Sequence, residues 1–538
     1  MNKILKGLLA VALVAAPAAL SADVSGENCC EVSCCTNPEV LCDVCDCCPQ
    51  TCCDGNKVYG QANWITLRSQ SRDLARWLVG THDRLASFDA EGVSGTFSAI
   101  FEYNQSFGNN GNSDRSLATW LLPDCCNCVE FGFDCLDDTD VRNEDFGYSG
   151  SASVCFAPKI QGFVLDLHLD LDLNECLCGM FAYVDLPIAW QKIDPQICPT
   201  EQDAGDGVFD TCVMATEEVD ALTITEALAG NTAFGDAPAM CFGVLNPCKN
   251  SKWGVADIRA ALGYNFLLTD CSHFGVKFVV AAPTGTTRKG LSAFEPIVGN
   301  GGLWEVGGGI VGHALLWERD DHALSFHVDA EVTTMLKSRQ QVRLFDLTAN
   351  GNWSRYLLLK KFNSDGEYVG LERGSNALAM NTKVSANVQG EIAALLSYEF
   401  CSWVFDLGYD FWGVSGEKLK EACCCLSDEN YGIKGVEDVC NPSAPSELAN
   451  TTDSGATIAC ATGADPDSPV YLTCADVNLC SGLNPSGTSS AVFGMIGYNW
   501  EDCDWQPFAG VGFKAEWSNK GNTAESQWKI WIKTAISF

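Results

Sequence analysis

Leu165-Asp166-Leu167-His168-Leu169-Asp170-Leu171-Asp172-Leu173 alternates without a break, every Leu on one parity and every acid or His on the other. Successive side chains of a strand point to opposite faces. The stretch therefore reads as a strand with one face in an apolar medium and the other in water. Leu324, Phe326, Val328, Ala330, Val332 and Thr334 repeat the pattern against Ser325, His327, Asp329, Glu331 and Thr333. So do Trp403, Phe405, Leu407, Tyr409 and Phe411 against Asp406, Gly408 and Asp410. After Gly55 this period-two texture runs through the chain.

A soluble sandwich would alternate as well. Aromatic residues argue for a membrane instead: Trp64, Tyr264, Phe266, Tyr398, Phe400, Tyr498 and Trp500 gather near strand ends, where a membrane barrel has its girdles. Trp528, Ile530, Ile532, Thr534, Ile536 and Phe538 share one face of a final strand, opposite Lys529, Trp531, Lys533, Ala535 and Ser537. Trp531 is the one residue out of place on the polar side. A last strand ending in an aromatic is the pattern by which Gram-negative outer-membrane barrels are recognised for insertion.

Connections give an independent test, because such barrels alternate short periplasmic turns with long outer loops. Short links fall near Asn174 to Gly179, Leu268 to Ser272, Arg319 to His322, Phe400 to Ser402 and Glu501 to Trp505. Long segments lie near Gln191 to Lys252, Pro283 to Gly301, Lys337 to Lys383 and Trp412 to Ser490. An even strand number returns the chain to the periplasm if a further turn sits at Gly108 to Asp114 and a weak strand around Ser116 to Leu122. The expectation is an all-β transmembrane antiparallel barrel of about 14 strands, with 12 to 16 tolerable.

The start of the chain sets the compartment. A basic Met1 to Lys6, an apolar Gly7 to Ala19 and the small residue Ala22 predict a cleaved signal peptide over residues 1–22. An uncleaved anchor is the rival, but its apolar run is short for a bilayer. Residues 23–54 form a cysteine-rich periplasmic segment without the apolar residues for a core, and residues 55–538 the barrel. The formal net charge of −36 excludes a nucleic-acid partner and draws cations rather than anions.

Thirty-one Cys suit an oxidising compartment. The competing reading, a metallothionein-like store, lacks a paired zinc framework. Disulfide candidates are Cys29, Cys30, Cys34, Cys35, Cys42, Cys45, Cys47, Cys48, Cys52 and Cys53 in the N-terminal segment. Cys176, Cys178, Cys271, Cys401 and Cys503 join them in the short turns, as a layer stapling the barrel to itself or to neighbours. A bland alternative is that these are small, tolerated turn residues. A second group, Cys125, Cys126, Cys128, Cys135, Cys198, Cys212, Cys241, Cys248, Cys423, Cys424, Cys425, Cys440, Cys460, Cys474 and Cys480, lies in the outer loops. Cross-links there would order segments that look poor in apolar residues. Cys155 alone falls within a strand.

With its signal peptide, acidic cysteine-rich barrel and terminal Phe538, the chain resembles the cysteine-rich major outer-membrane porins of chlamydia-like intracellular bacteria. A local likeness, Ala282-Pro283-Thr284-Gly285, Phe294 to Gly301 and Trp304 to Gly309, is similar to poorly characterised envelope barrels of intracellular bacteria. The resemblance implies porin and structural roles, with disulfide-linked envelope proteins as partners and, by analogy, a homo-oligomer. The N-terminal cysteine cluster departs from ordinary general porins.

No catalytic constellation stands out. No nucleophile elbow is present, Gly307-Gly308-Gly309 lacks the Lys-Ser/Thr sequel of a phosphate loop, and Asp166, Asp170 and Asp172 lack the Gly and distal Glu of a calcium loop. No cofactor and no metal is expected, and the chain is not read as an enzyme. His168 and His327 are read as lining a hydrated lumen, with Asp166, Asp170, Asp172, Lys277, Asp329, Glu331, Lys514, Glu516 and Lys533 as further pore-lining candidates. The expected function is an outer-membrane porin of a Gram-negative bacterium, passing small hydrophilic solutes by diffusion, cation-preferring, and cross-linked into the envelope. The alternative is a surface-exposed structural or adhesin barrel with a plugged lumen.

Overall fold

In the computed structural model the described residues are 68–80, 94–107, 128–131, 141, 143–203, 223–434, 471–500, 505–518 and 525–538, with short breaks inside the longer ranges. The signal-peptide and 23–54 segments, Trp64, the weak strand and turn expected over 108–122, Cys29 to Cys53 and Cys503 lie outside them.

Twelve strands close into one antiparallel wall. In chain order they are β1 (Ser94–Ser106), β2 (Lys159–Asp172), β3 (Met180–Asp194), β4 (Ile258–Thr269), β5 (Ser272–Ala282), β6 (Glu305–Arg319), β7 (His322–Met335), β8 (Ala379–Phe400), β9 (Trp403–Val414), β10 (Gly487–Asn499), β11 (Phe508–Ser518) and β12 (Gln527–Ser537). Each pairs with its successor. β12 closes the ring on β1, Thr96 facing Ser537 and Gln105 facing Trp528. Twelve is the lower bound of the expected range: β1 has β2 and β12 as its neighbours, so no further strand stands between β1 and β2.

The faces follow the sequence parity. Leu407, Tyr409, Ile532 and Val332 are exposed on the outside, whereas Asp166, Asp172, Lys533 and Glu331 are buried inside. Apolar residues face out because lipid surrounds the wall, and closure of the ring lets the strands satisfy one another's backbone groups. Trp531 sits inside, 1% exposed. Its indole fills the space left by Gly512 on β11, where an added Cβ would lie 2.3 Å from the ring.

Short connections fall where expected, after β2, β4, β6, β8 and β10, and long segments join the strands at the other end. These long segments correct an expectation, because they carry apolar cores of their own. Short strands Cys128–Phe131, Ser151–Phe156 and Ile197–Asp203 pair into one small sheet, and Leu358–Phe362, Tyr368–Arg373 and Asn430–Ile433 into another. Phe131, Phe146, Tyr148, Val154, Phe156, Trp353 and Tyr356 pack together beneath them. A disulfide joins Cys128 to Cys155, so the cysteine expected alone in a strand is half of a local pair. Cys176, Cys178, Cys271 and Cys401 are exposed free thiols on the short turns. No disulfide staples one turn to another among the described residues.

Candidate functional site: a charged plug in the lumen

Ser69-Gln70-Ser71-Arg72-Asp73-Leu74-Ala75-Arg76-Trp77 breaks the period-two rule, with Arg68, Arg72 and Arg76 spaced by four. Spacing by four places side chains along one side of a helix. The segment forms a single helical turn, α1 (Leu74–Leu78), whose N-cap Asp73 accepts from the Arg76 amide. It lies inside the barrel. Leu74, Ala75, Trp77 and Val79 pack on the inward apolar residues Ile100, Leu395, Phe493, Met495 and Trp531.

The wall answers each charge of the segment with an opposite one. Arg68 pairs with Glu391 of β8 and, at 2.9 Å, with Glu516 of β11. Arg72 reaches Glu391 at 3.2 Å and donates to the Thr333 hydroxyl at 3.0 Å. Arg76 pairs with Glu102 of β1 at 2.9 Å and with Asp166 of β2 at 2.6 Å. Asp73 receives Lys514 at 3.1 Å and Lys529 at 2.8 Å. The Trp77 indole donates to Asp166 at 2.9 Å and stacks on His168, ring centres 5.3 Å apart. Lys533 donates to the carbonyls of Trp77 and Val79 at 2.7 and 2.8 Å, capping the C-terminal end of the turn. Buried charges are tolerated only when paired in this way.

Thus all eleven pore-lining candidates face inward, and their surroundings correct the expectation of a row of free acids in water. Asp166 is taken by Arg76, and Glu516 by Arg68. His168 lies between Asp170 and Asp185 at 3.1 and 3.3 Å. Lys277 bridges Asp329 and Glu331, both at 2.7 Å, and Arg259 binds Glu331 at 2.9 Å and Glu305 at 3.0 Å. Lys514 joins Asp73 to Asp410, and His327 is buried deeper along β7. Asp172 caps the following turn through the Asn174 amide at 2.8 Å. Sequence reasoning missed Arg68, Arg72, Arg76, Arg259, Glu305 and Glu391. The spacing of the first three was the available signal. Asp73, Glu391 and Asp410 bring carboxylate oxygens close enough for a cation, but Arg68 and Lys514 already occupy that role.

At the long-loop end the segment is clasped. Asp257, one residue before β4, accepts from Ser69 and Ser71 of the plug at 3.2 and 3.3 Å, and from the Asn300 and Gly285 amides at 2.7 and 3.4 Å. The Gly299 amide donates to Gln70 at 2.9 Å. The Ala282 to Gly301 stretch singled out in the sequence is therefore a loop folded onto the plug. Gly299 adopts φ +87°, and a Cβ there would lie within 3.0 Å of the Asp257 carboxylate. Burial, with Glu305 adding repulsion, pushes the Asp257 carboxyl up to about 7.

Above the plug a cavity of about 110 Å³ opens between Arg68, Arg288, Arg343, Trp412, Glu417 and Glu525. Burial brings the Arg288 guanidinium down to about 9. Burial first, and Glu516 second, push the Glu525 carboxyl up to about 8.

A closed barrel with an apolar exterior and a charged interior is an outer-membrane architecture of Gram-negative bacteria. No family model and no curated protein matches the chain. Among solved structures it is similar to an outer membrane channel from Pseudomonas putida F1, with 10% identity, 84% of this chain and 98% of that chain covered, and a TM-score of 0.33. A Pseudomonas aeruginosa FadL homologue gives 8% identity, 89% and 99% coverage and a TM-score of 0.27. The Ralstonia pickettii toluene transporter TbuX gives 8%, 86% and 94%, and 0.25.

Proposed function

We propose that the protein is an outer-membrane channel closed by its own segment 68–80, passing small hydrophilic solutes by diffusion when that segment leaves its seat. The observation that carries the reading is the ladder of Arg68, Arg72 and Arg76 on carboxylates of β1, β2, β8 and β11. Ion pairs hold one side of the seat and the apolar cluster about Leu74, Trp77 and Val79 the other, so removing the pairs loosens a segment that carries charges of its own into a wet lumen. Release also exposes the acids it neutralised, which makes the open lumen cation-preferring. Transport of this kind needs no catalytic step.

Planar-bilayer recording tests this. Wild-type protein should be mostly closed, whereas the Arg72→Ala/Arg76→Ala variant should conduct, with a reversal potential shifted toward cations. A variant barrel that is folded and still silent overturns the channel reading. It would favour the second one, a structural barrel with a permanently filled lumen, for which the depth of plug packing speaks.

The resemblance to cysteine-rich porins adds a cross-linked envelope role. Four exposed thiols at one rim, Cys176, Cys178, Cys271 and Cys401, support it. Under oxidising conditions they would bond to a neighbouring envelope protein or a second copy. Monomer on a non-reducing gel of the intact envelope would refute this.

A further inference from the structure

Three of the six His in the sequence meet in one row across the wall. His313 on β6 is the direct register partner of His273 on β5 and of His327 on β7. All three share the inward parity of Lys277, Gly309 and Glu331, a row four residues away where Lys277 and Glu331 meet at 2.7 Å. The ring centres of His273 and His313 are 5.5 Å apart, and those of His313 and His327 are 4.5 Å apart. His273 and His327 are buried. The row lies toward the short-turn end, His273 being the second residue of β5.

Directly opposed residues on one face of a sheet hold their Cβ atoms about 4.5–5.5 Å apart. His273 and His327, one strand to either side of His313, stand about twice as far from each other, roughly 10 Å, a span two imidazoles bridge through one shared ion by rotation about χ1 and χ2. Three imidazoles with one open position form a set that Zn²⁺ accepts, and imidazole equally suits Ni²⁺ and Cu²⁺. Asp329, the next inward residue above His327, is paired at 2.7 Å with Lys277, so the imidazoles themselves are the donors of the row. The plug pairs described above do not involve these residues. We propose that His273, His313 and His327 bind one divalent transition-metal ion of the Zn²⁺, Ni²⁺ or Cu²⁺ class inside the barrel.

The site stands apart from the channel reading, so its test uses binding rather than conductance. Full-length refolded protein, its free thiols alkylated to remove competing sulfur ligands, is titrated with Zn²⁺ against a chromophoric chelator. Wild type should bind one ion per chain. His313→Gln and His273→Gln should weaken it by roughly tenfold or more, while His322→Gln, which alters the half-buried first residue of β7 outside the row, should leave it unchanged. Equal binding by wild type and the triple His→Gln variant overturns the proposal, as does equal loss in His322→Gln. Should a variant fail to fold, the Cu²⁺ spin-resonance spectrum of the wild type decides alone: coupling to several nitrogens supports the row, and an all-oxygen spectrum overturns it.

Discussion

Asp257 holds four donors at once, two from the plug and two from the loop over it. An ordinary Asp titrates near 4, and burial has pushed this one up to about 7. A carboxyl raised on folding contributes stability that is full below its unfolded value and lost as pH rises through its folded value. The clasp should therefore loosen as pH rises through about 7. Melting followed at a series of pH values should show that step in wild type and not in Asp257→Asn. A second step near 8, from Glu525, should survive in the variant. On β12, neighbouring residues separate two kinds of loss. Ile532, 52% exposed, faces lipid, and Ile532→Lys should cost roughly 2–4 kcal/mol and reduce assembled barrel. Lys533→Met should assemble normally and release α1, because the carbonyls of Trp77 and Val79 lose their donor. Heat-modified mobility on gels reads the first effect, and protease access to residues 68–80 the second.

At the scale of elements, the strands were legible and the plug was not. Alternation of Leu with Asp over β2, and of Ile with Lys over β12, assigned both faces, because lipid on one side and charge on the other leave no other register. Short turns were equally readable, since an antiparallel pair needs only a few residues to reverse. What alternation cannot say is what fills the inside. An acid facing water and an acid facing Arg76 occupy the same parity, so Asp166 looked solvated. Likewise a single turn of helix, five residues long, leaves little periodic trace. The loop cores were missed for a related reason: Phe131, Phe156 and Trp353 are far apart in sequence and meet only in three dimensions. Arg76→Met tests the plug as an element. It takes the guanidinium from Glu102 and Asp166, leaving Asp166 the Trp77 indole and Glu102 the more distant Lys529, and breaking a buried pair from one side costs roughly 3–5 kcal/mol. Amide exchange over residues 72–79 should then accelerate while that of β2 and β3 stays slow. Equal acceleration of both would mean that the plug is part of the wall rather than a guest in it.

For the molecule as a whole, the ring of twelve strands sets two ends with different chemistry. Cysteine labelling of intact cells should reach a residue introduced near Thr473, in a long segment, and spare Cys271 and Cys401 on the short turns. Equal labelling of both ends would invert the orientation, and with it the side from which the plug is clasped.

Closure of the ring on β1 depends on β12, and β12 also carries Lys529 and Lys533, which stand 456 positions from their partners Asp73 and Trp77. Contacts over such separations form late, since the connecting chain must first be ordered. Until the seam shuts, the helical turn lacks Lys529 and its cap Lys533. Seating of the plug thereby follows closure of the ring, and a barrel whose seam is still open leaves residues 68–80 without the two lysines of β12 that fix them.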